Sequence, residues 1–208
     1  MTPLLIAGPA VEPLTLAEMR LYLRLDDSAE DDLVAALIKA ARLLVEGACG
    51  RQLIAQTWRL PLNRWPPGRA VLLPLSPLLS VARVRVYDLA GAGTDLAAPL
   101  YRADTAADPP RVVVEAAAPE PGRAFAGIEI DIVAGFGTAA ADVPAPLVQA
   151  IRLLVARWFE SRGDGPADAA LPPDLAALVA PYRIRRVATQ NVDFPGLFQT
   201  ACSKNVAR

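Results

Sequence analysis

Apolar residues in this chain recur every three or four positions near both ends and every second position in the middle, and this change of period is the strongest constraint on its fold. Thr15 followed by Glu18 makes a capping box ahead of Met19, Leu21, Tyr22, Leu23 and Leu25, predicting a helix that ends near Asp26. A second box, Ser28 with Asp31, predicts a longer helix carrying Leu33, Leu37, Ala41, Leu44, Val45 and Ala48, with Gly50 as its stop. From Thr57 to Ala134 the texture changes to short β-branched runs separated by Pro, Gly and Asp. Alternation is clearest from Val81 to Tyr87 and from Ile128 to Ile132, each read as an antiparallel strand wet on one face, with Glu129 and Asp131 on that face. Trp58 to Leu62 and Arg111 to Glu115 are weaker strand candidates, and Asp88 to Gly91 reads as a turn.

Helical spacing returns after Pro144 with Leu147, Ile151, Leu154, Val155 and Trp158, and Ser161-Arg162-Gly163 ends it. A short helix is expected from Pro173 to Ala180, begun by one proline and stopped by Pro181. The fold class is therefore α+β: a helical core of two N-terminal helices, one long and one short C-terminal helix, an inserted small antiparallel β module and an extended C-terminal tail. The divisions expected are 1–56 and 135–186 for the two helical parts, 57–134 for the β module and 187–208 for the tail, which carries too few apolar residues to fold alone.

Composition narrows the chemistry. A chain of 208 residues that is 53% hydrophobic is too apolar for a disordered protein. Its 21 basic and 22 acidic side chains argue against a surface that grips nucleic acid or anionic lipid all over. Histidine is absent and Cys49 and Cys202 are the two cysteines, so histidine acid–base catalysis and zinc sites built from His or paired Cys are out. Both cysteines read as small buried apolar residues, and such lean usage fits a reducing compartment. No serine or cysteine has a histidine partner, so the chain is not expected to be an enzyme, and no cofactor or metal is expected. The first basic residue is Arg20, so no export signal is expected; the uncharged stretch from Ala70 to Ala82 is broken by Pro74 and Pro77, so no membrane span is expected.

Three motifs have competing readings. Gly135-Phe136-Gly137-Thr138-Ala139-Ala140 matches a dinucleotide-binding turn, but Asp142, Pro144 and Pro146 delay the helix that would receive the pyrophosphate, which favours a flexible strand-to-helix connection. Asp26, Asp27, Glu30, Asp31 and Asp32 lack the glycine and terminal glutamate of a calcium loop, and helix-start capping accounts for them. Tyr182-Arg183-Ile184-Arg185-Arg186 is suited to a protein partner's carboxylates, to solvation or to phosphates. Residues 181–208 carry a net charge of +4 on a body of −5, so the basic end reads as a docking arm.

The order of Pro13-Leu14-Thr15-Leu16-Ala17-Glu18, Tyr22-Leu23-Arg24-Leu25-Asp26 and Gly50-Arg51-Gln52-Leu53 is distinctive. Trp58, Leu73-Pro74-Leu75-Ser76-Pro77-Leu78, Val84 to Tyr87, Ala134-Gly135-Phe136-Gly137, Val143-Pro144 and Pro181-Tyr182-Arg183 continue it. Together these resemble the head-tail connector, or adaptor, proteins of long-tailed bacteriophages and phage-derived gene transfer agents, over about residues 10–186. The resemblance implies a twelve-membered homo-oligomeric ring beneath the capsid portal, which receives the next neck protein and continues the double-stranded DNA channel without sequence-specific binding. It places the protein in the neck of a particle assembled in the bacterial cytoplasm. It also implies a portal-docking role for the C-terminal end, where the basic tail and its apolar island point to Tyr182, Arg183, Arg185, Arg186, Phe194, Leu197 and Phe198 as partner-binding residues. The alternative is a small nucleic-acid-binding module that uses the same basic end.

Overall fold

The computed structural model describes residues 2–161 and 171–184. Its helices are α1 (Leu16–Leu23), α2 (Asp31–Cys49), α3 (Ala145–Ser161) and α4 (Pro173–Val179). Thr15 caps α1 as expected: its hydroxyl accepts from the Glu18 amide at 3.2 Å, and the Glu18 carboxylate accepts from the Thr15 amide at 2.9 Å. The Thr15 hydroxyl also donates to Glu18 Oε2 at 2.6 Å, and this bond, then the backbone one, holds the Glu18 carboxyl below its ordinary range. The helix stops earlier than Asp26, because Arg24 turns left-handed at φ 57° and Leu25 donates back to the Arg20 carbonyl at 3.1 Å.

The second capping box does not form. Asp27 accepts from the Ala29 amide at 3.0 Å and the Ser28 carbonyl takes the Asp31 amide at 3.2 Å, so this segment makes a turn and α2 begins at Asp31 with no side-chain cap. The buried stripe of α2 is Val34, Ile38, Ala41, Val45 and Cys49, with Leu33 exposed and Leu37, Leu44 and Ala48 on the flank. The expected stripe was thus turned about one position, since both sets satisfy a spacing of three and four. Gly50 closes the helix at φ 73°, its amide bonded to the Glu46 carbonyl at 2.8 Å.

Among the described residues the strands are β1 (Leu4–Ala7), β2 (Gln56–Leu62), β3 (Ala70–Leu72), β4 (Leu78–Tyr87), β5 (Gly93–Asp95), β6 (Tyr101–Asp104), β7 (Arg111–Val114) and β8 (Ile128–Ala134). They form a five-stranded antiparallel sheet, β1-β2-β8-β4-β5, and a three-stranded one, β3-β7-β6. β1 comes from the N-terminal segment and joins the large sheet by pairing Leu4 with Arg59 and Leu5 with Trp58. The Asp88–Gly91 turn is present, with Gly91 at φ 84° and the Asp88 carboxylate accepting from Ala92 at 2.8 Å.

Buried apolar residues make two clusters. One joins both helical ends, Leu14, Met19 and the α2 stripe against Leu147, Ile151, Leu154 and Val155 of α3 and Leu175 and Val179 of α4. The other fills the β region with Leu60, Val84, Val86, Val112, Val114, Ile128, Ile130 and Ile132. Each fully buried Ile of β8 contributes about 1.5–3 kcal/mol to that core.

The opposite face of β8 is not simply wet. Asp131 is 9% exposed and accepts from Arg59 Nε at 2.7 Å and Nη2 at 3.0 Å, and from Arg83 Nη2 at 2.7 Å. Glu129 accepts from the Tyr87 hydroxyl at 2.9 Å. Strands β2 and β4 place their arginines on either side of the β8 carboxylates, so the ladder closes over them and water is largely excluded. Burial alone would raise the Asp131 pKa; the Arg59 hydrogen bond and charge, and then those of Arg83, outweigh it and hold the carboxyl below its usual range.

The glycine-rich connection is also firmer than expected. Ala55 donates to the Gly137 carbonyl at 2.8 Å and Phe136 donates to Leu53 at 3.1 Å, so residues 135–137 pair with 53–55. A Cβ at Gly135 would lie 2.5 Å from the Ala55 nitrogen, so the glycine is there for close backbone approach. The Asp142 carboxylate then accepts from the Ala139 amide at 2.9 Å, fixing the turn before α3.

Candidate partner-docking site

The last described residues, Tyr182 to Ile184, lie where four separated segments meet. After α4, a single 3-10 turn (Ala180–Tyr182) brings Tyr182 against Phe136 of the glycine connection, with ring centroids 6.5 Å apart and planes at 84°. Arg183 is exposed. Ile184 is held twice: its amide donates to the Cys49 carbonyl at 3.0 Å, satisfying an otherwise open group at the end of α2, and its side chain rests on Gly50. Cδ1 of Ile184 lies 3.4 Å from where a Gly50 Cβ would stand, a close fit that a larger residue would crowd.

Arg51 ties the root together. Its Nε donates to the Tyr182 carbonyl at 2.7 Å, Nη1 to Ser76 Oγ at 2.7 Å and Nη2 to Asp108 Oδ2 at 2.8 Å. Ser76 precedes β4 and is buried; Asp108 sits in the exposed connection between β6 and β7. Gln52 donates to the Ser76 carbonyl at 2.9 Å beside it. One guanidinium thus joins the end of α2, the approach to β4, the tip of the small sheet and the start of the arm, using three donors in its fixed fork.

Of the residues expected to contact a partner, Tyr182 and Arg183 stand at this root, Tyr182 half-buried as an anchor and Arg183 outward. Arg185, Arg186, Phe194, Leu197 and Phe198 lie outside the described residues, as does Cys202. Arg51 carried no role in the sequence reading, although it stands in the Gly50-Arg51-Gln52-Leu53 run; its only local signal is a cation placed directly after a helix-terminating glycine.

A second polar group lies inside the helical core. Glu46, 6% exposed, accepts from Arg42 Nη1 at 2.8 Å, from the Leu53 amide at 3.0 Å and from Gln56 Nε2 at 2.9 Å, while Arg42 Nε also reaches Glu12 at 2.7 Å. Burial pushes the Glu46 carboxyl above its ordinary value against these bonds. All of its partners are structural, so it fastens the N-terminal segment and β2 to α2. The Cys49 thiol is likewise pushed up by burial, away from the reactive thiolate. Among the described residues no group of acidic or cysteine side chains could hold a metal ion, and no helix is long and apolar enough to cross a membrane.

The family described as phage gp6-like head-tail connector protein matches residues 13–84. The chain is 33% identical to one in the neck of an empty gene transfer agent particle computed with C6 symmetry, covering 91% of this chain and 99% of that one, with a TM-score of 0.77. A chain in the virion of the native gene transfer agent gives the same identity, coverage and TM-score. One in the neck of the native particle computed with C12 symmetry is 32% identical over the same shares, with a TM-score of 0.69. No curated protein matches.

Proposed function

Because this chain belongs to the head-tail connector family of phages and gene transfer agents, we propose that twelve copies of it form a ring in the neck of such a particle, joining the capsid portal to the next neck protein. The observation that carries this reading is the match to a neck chain over nearly the whole length of both proteins; C12 symmetry in a neck containing a similar chain supports the copy number. A closed ring needs two different complementary faces on each subunit and no catalytic group, so its role is structural. Assembly takes place in the bacterial cytoplasm.

The arm beginning at Tyr182 docks to the portal. Tyr182, Arg183, Arg185 and Arg186 supply an aromatic anchor and cations near the body, and Phe194, Leu197 and Phe198 supply an apolar island further out. Double-stranded DNA passes through the ring without sequence-specific binding. Charge supports this: the body to residue 180 carries −5, and ten of the arginines among the described residues already face carboxylates. A wall with few free cations releases few counterions and lets the duplex slide.

Deletion and complementation test the proposal. Without the chain, DNA-filled heads and free tails should accumulate. The full chain should restore joined particles, whereas a chain ending at Ile184 should fold and fail to do so. Joined particles from cells lacking the protein would overturn the connector role; normal particles from the shortened chain would overturn the arm's role.

A further inference from the structure

We propose that Arg51 is the positioning residue of the C-terminal arm, holding its root in one orientation by bonding the Tyr182 carbonyl, Ser76 and Asp108 at once. The part that concerns portal capture rests on the arm being the docking element.

The argument is geometric. The last described contacts of the arm are the Tyr182 ring on Phe136, the Tyr182 carbonyl on Arg51 and the Ile184 amide on Cys49. The ring contact fixes a side chain but not the direction in which the backbone continues. The two bonds to the arm's backbone fix that direction, and they come from positions two residues apart, the Cys49 carbonyl and the Arg51 side chain. Cys49 is anchored as the end of α2. Arg51 lies beyond the helix, where its backbone bridges Ser76, and its guanidinium is oriented by its other two acceptors, one buried and one exposed. Three acceptors from three segments match the planar fork of a guanidinium; the three donors of a lysine ammonium radiate from one nitrogen and cannot reproduce that spread. Ser76 and Asp108 therefore act on the arm through Arg51, although neither contacts it in the described bonds.

The test uses the full chain. Arg51→Lys keeps the charge and removes the fork. Amide hydrogen exchange at Ile184, relative to amides in the middle of α2 and α3, should rise about tenfold or more, since each lost bond to a charged donor loosens the root locally. Asp108→Ala changes an exposed side chain, so the fold is retained, and Ile184 exchange should rise by a smaller factor. Arg69→Lys serves as the control: Arg69 spans the Glu115 and Ala118 carbonyls and Glu120 elsewhere in the β region, so its loss should leave Ile184 unchanged. Ile184 exchange that stays at the wild-type rate in both Arg51→Lys and Asp108→Ala overturns the inference, as does an equal rise in Arg69→Lys. Capture of the protein by a purified portal ring is read in parallel. Faster exchange with at least tenfold weaker capture supports both the positioning role and arm docking; faster exchange with unchanged capture supports the positioning role and overturns arm docking.

Discussion

Replacing Asp131 with asparagine removes the charge at the centre of the β2-β8-β4 ladder while keeping its shape. The carboxylate accepts three charge-assisted hydrogen bonds, at 2.7, 3.0 and 2.7 Å, from Arg59 and Arg83. Bonds of this class contribute about 1.5–3 kcal/mol each in a buried setting. The two arginine side chains are each 27% exposed, so water recovers part of the loss, and the asparagine oxygen retains one partner. The expected cost is about 2–3 kcal/mol at pH 7, or about 5–10 °C in Tm for a chain of this size. The sign of the pH dependence follows from the lowered Asp131 pKa. A carboxyl depressed in the folded state contributes stability that is present above its unfolded pKa, about 3.9, and is lost as pH falls through the folded value. Urea unfolding of wild type and Asp131→Asn at pH 7 and at pH 3 should show the gap narrowing at the lower pH. A difference below about 0.5 kcal/mol at pH 7 would place the ladder among ordinary surface ion pairs and refute the reasoning.

Other substitutions probe separate parts of the account. Glu46, with its pKa raised by burial, has the opposite sign: wild type should lose stability relative to Glu46→Gln as pH rises from about 4.3 toward neutrality, and a constant difference between the two across that range would contradict the burial argument. Gly135→Ala brings a methyl group against the Ala55 backbone and should cost about 3 kcal/mol or more by thermal melting, whereas Gly137→Ala meets the Asp142 side chain and should cost about 1–3 kcal/mol by displacing its bond to Ala139. Equal, negligible costs would show the connection to be slack. Thr15→Ala should lower stability by about 1 kcal/mol in denaturant melts through loss of the α1 cap, and no change would mean the box contributes nothing.

The parts of the fold that could be read from sequence are those set by local chemistry. Thr15 with Glu18 and Gly50 at φ 73° mark helix ends through bonds made within a few residues, and proline marks the start of α4 through its fixed φ and missing donor. The alternation in β4 and β8 was legible because each strand is long enough for the period to repeat. β1, β3, β5 and β6 span three or four residues and owe their form to partners far along the chain, so period carries little information about them. The Ser28 box failed because Asp27 and the Ser28 carbonyl make a competing turn. The glycines at 135 and 137 looked like a loose link because the backbone they approach, residues 53–55, lies some eighty positions earlier. Of the candidate docking site, Tyr182 and Arg183 were visible as an aromatic followed by a cation in a basic segment. Arg51 was not, since its acceptors at positions 76, 108 and 182 meet only after folding.

The most direct measurement is the mass of the purified full chain, alone and mixed with a portal ring, by light scattering at low and high salt. Assembly on the portal with a mass increment of twelve subunits, persisting at high salt through apolar contacts, is the expected result. A chain that ignores the portal at both salt concentrations but binds duplex DNA, with affinity falling steeply as salt rises, would contradict the connector account and favour a nucleic-acid-binding module.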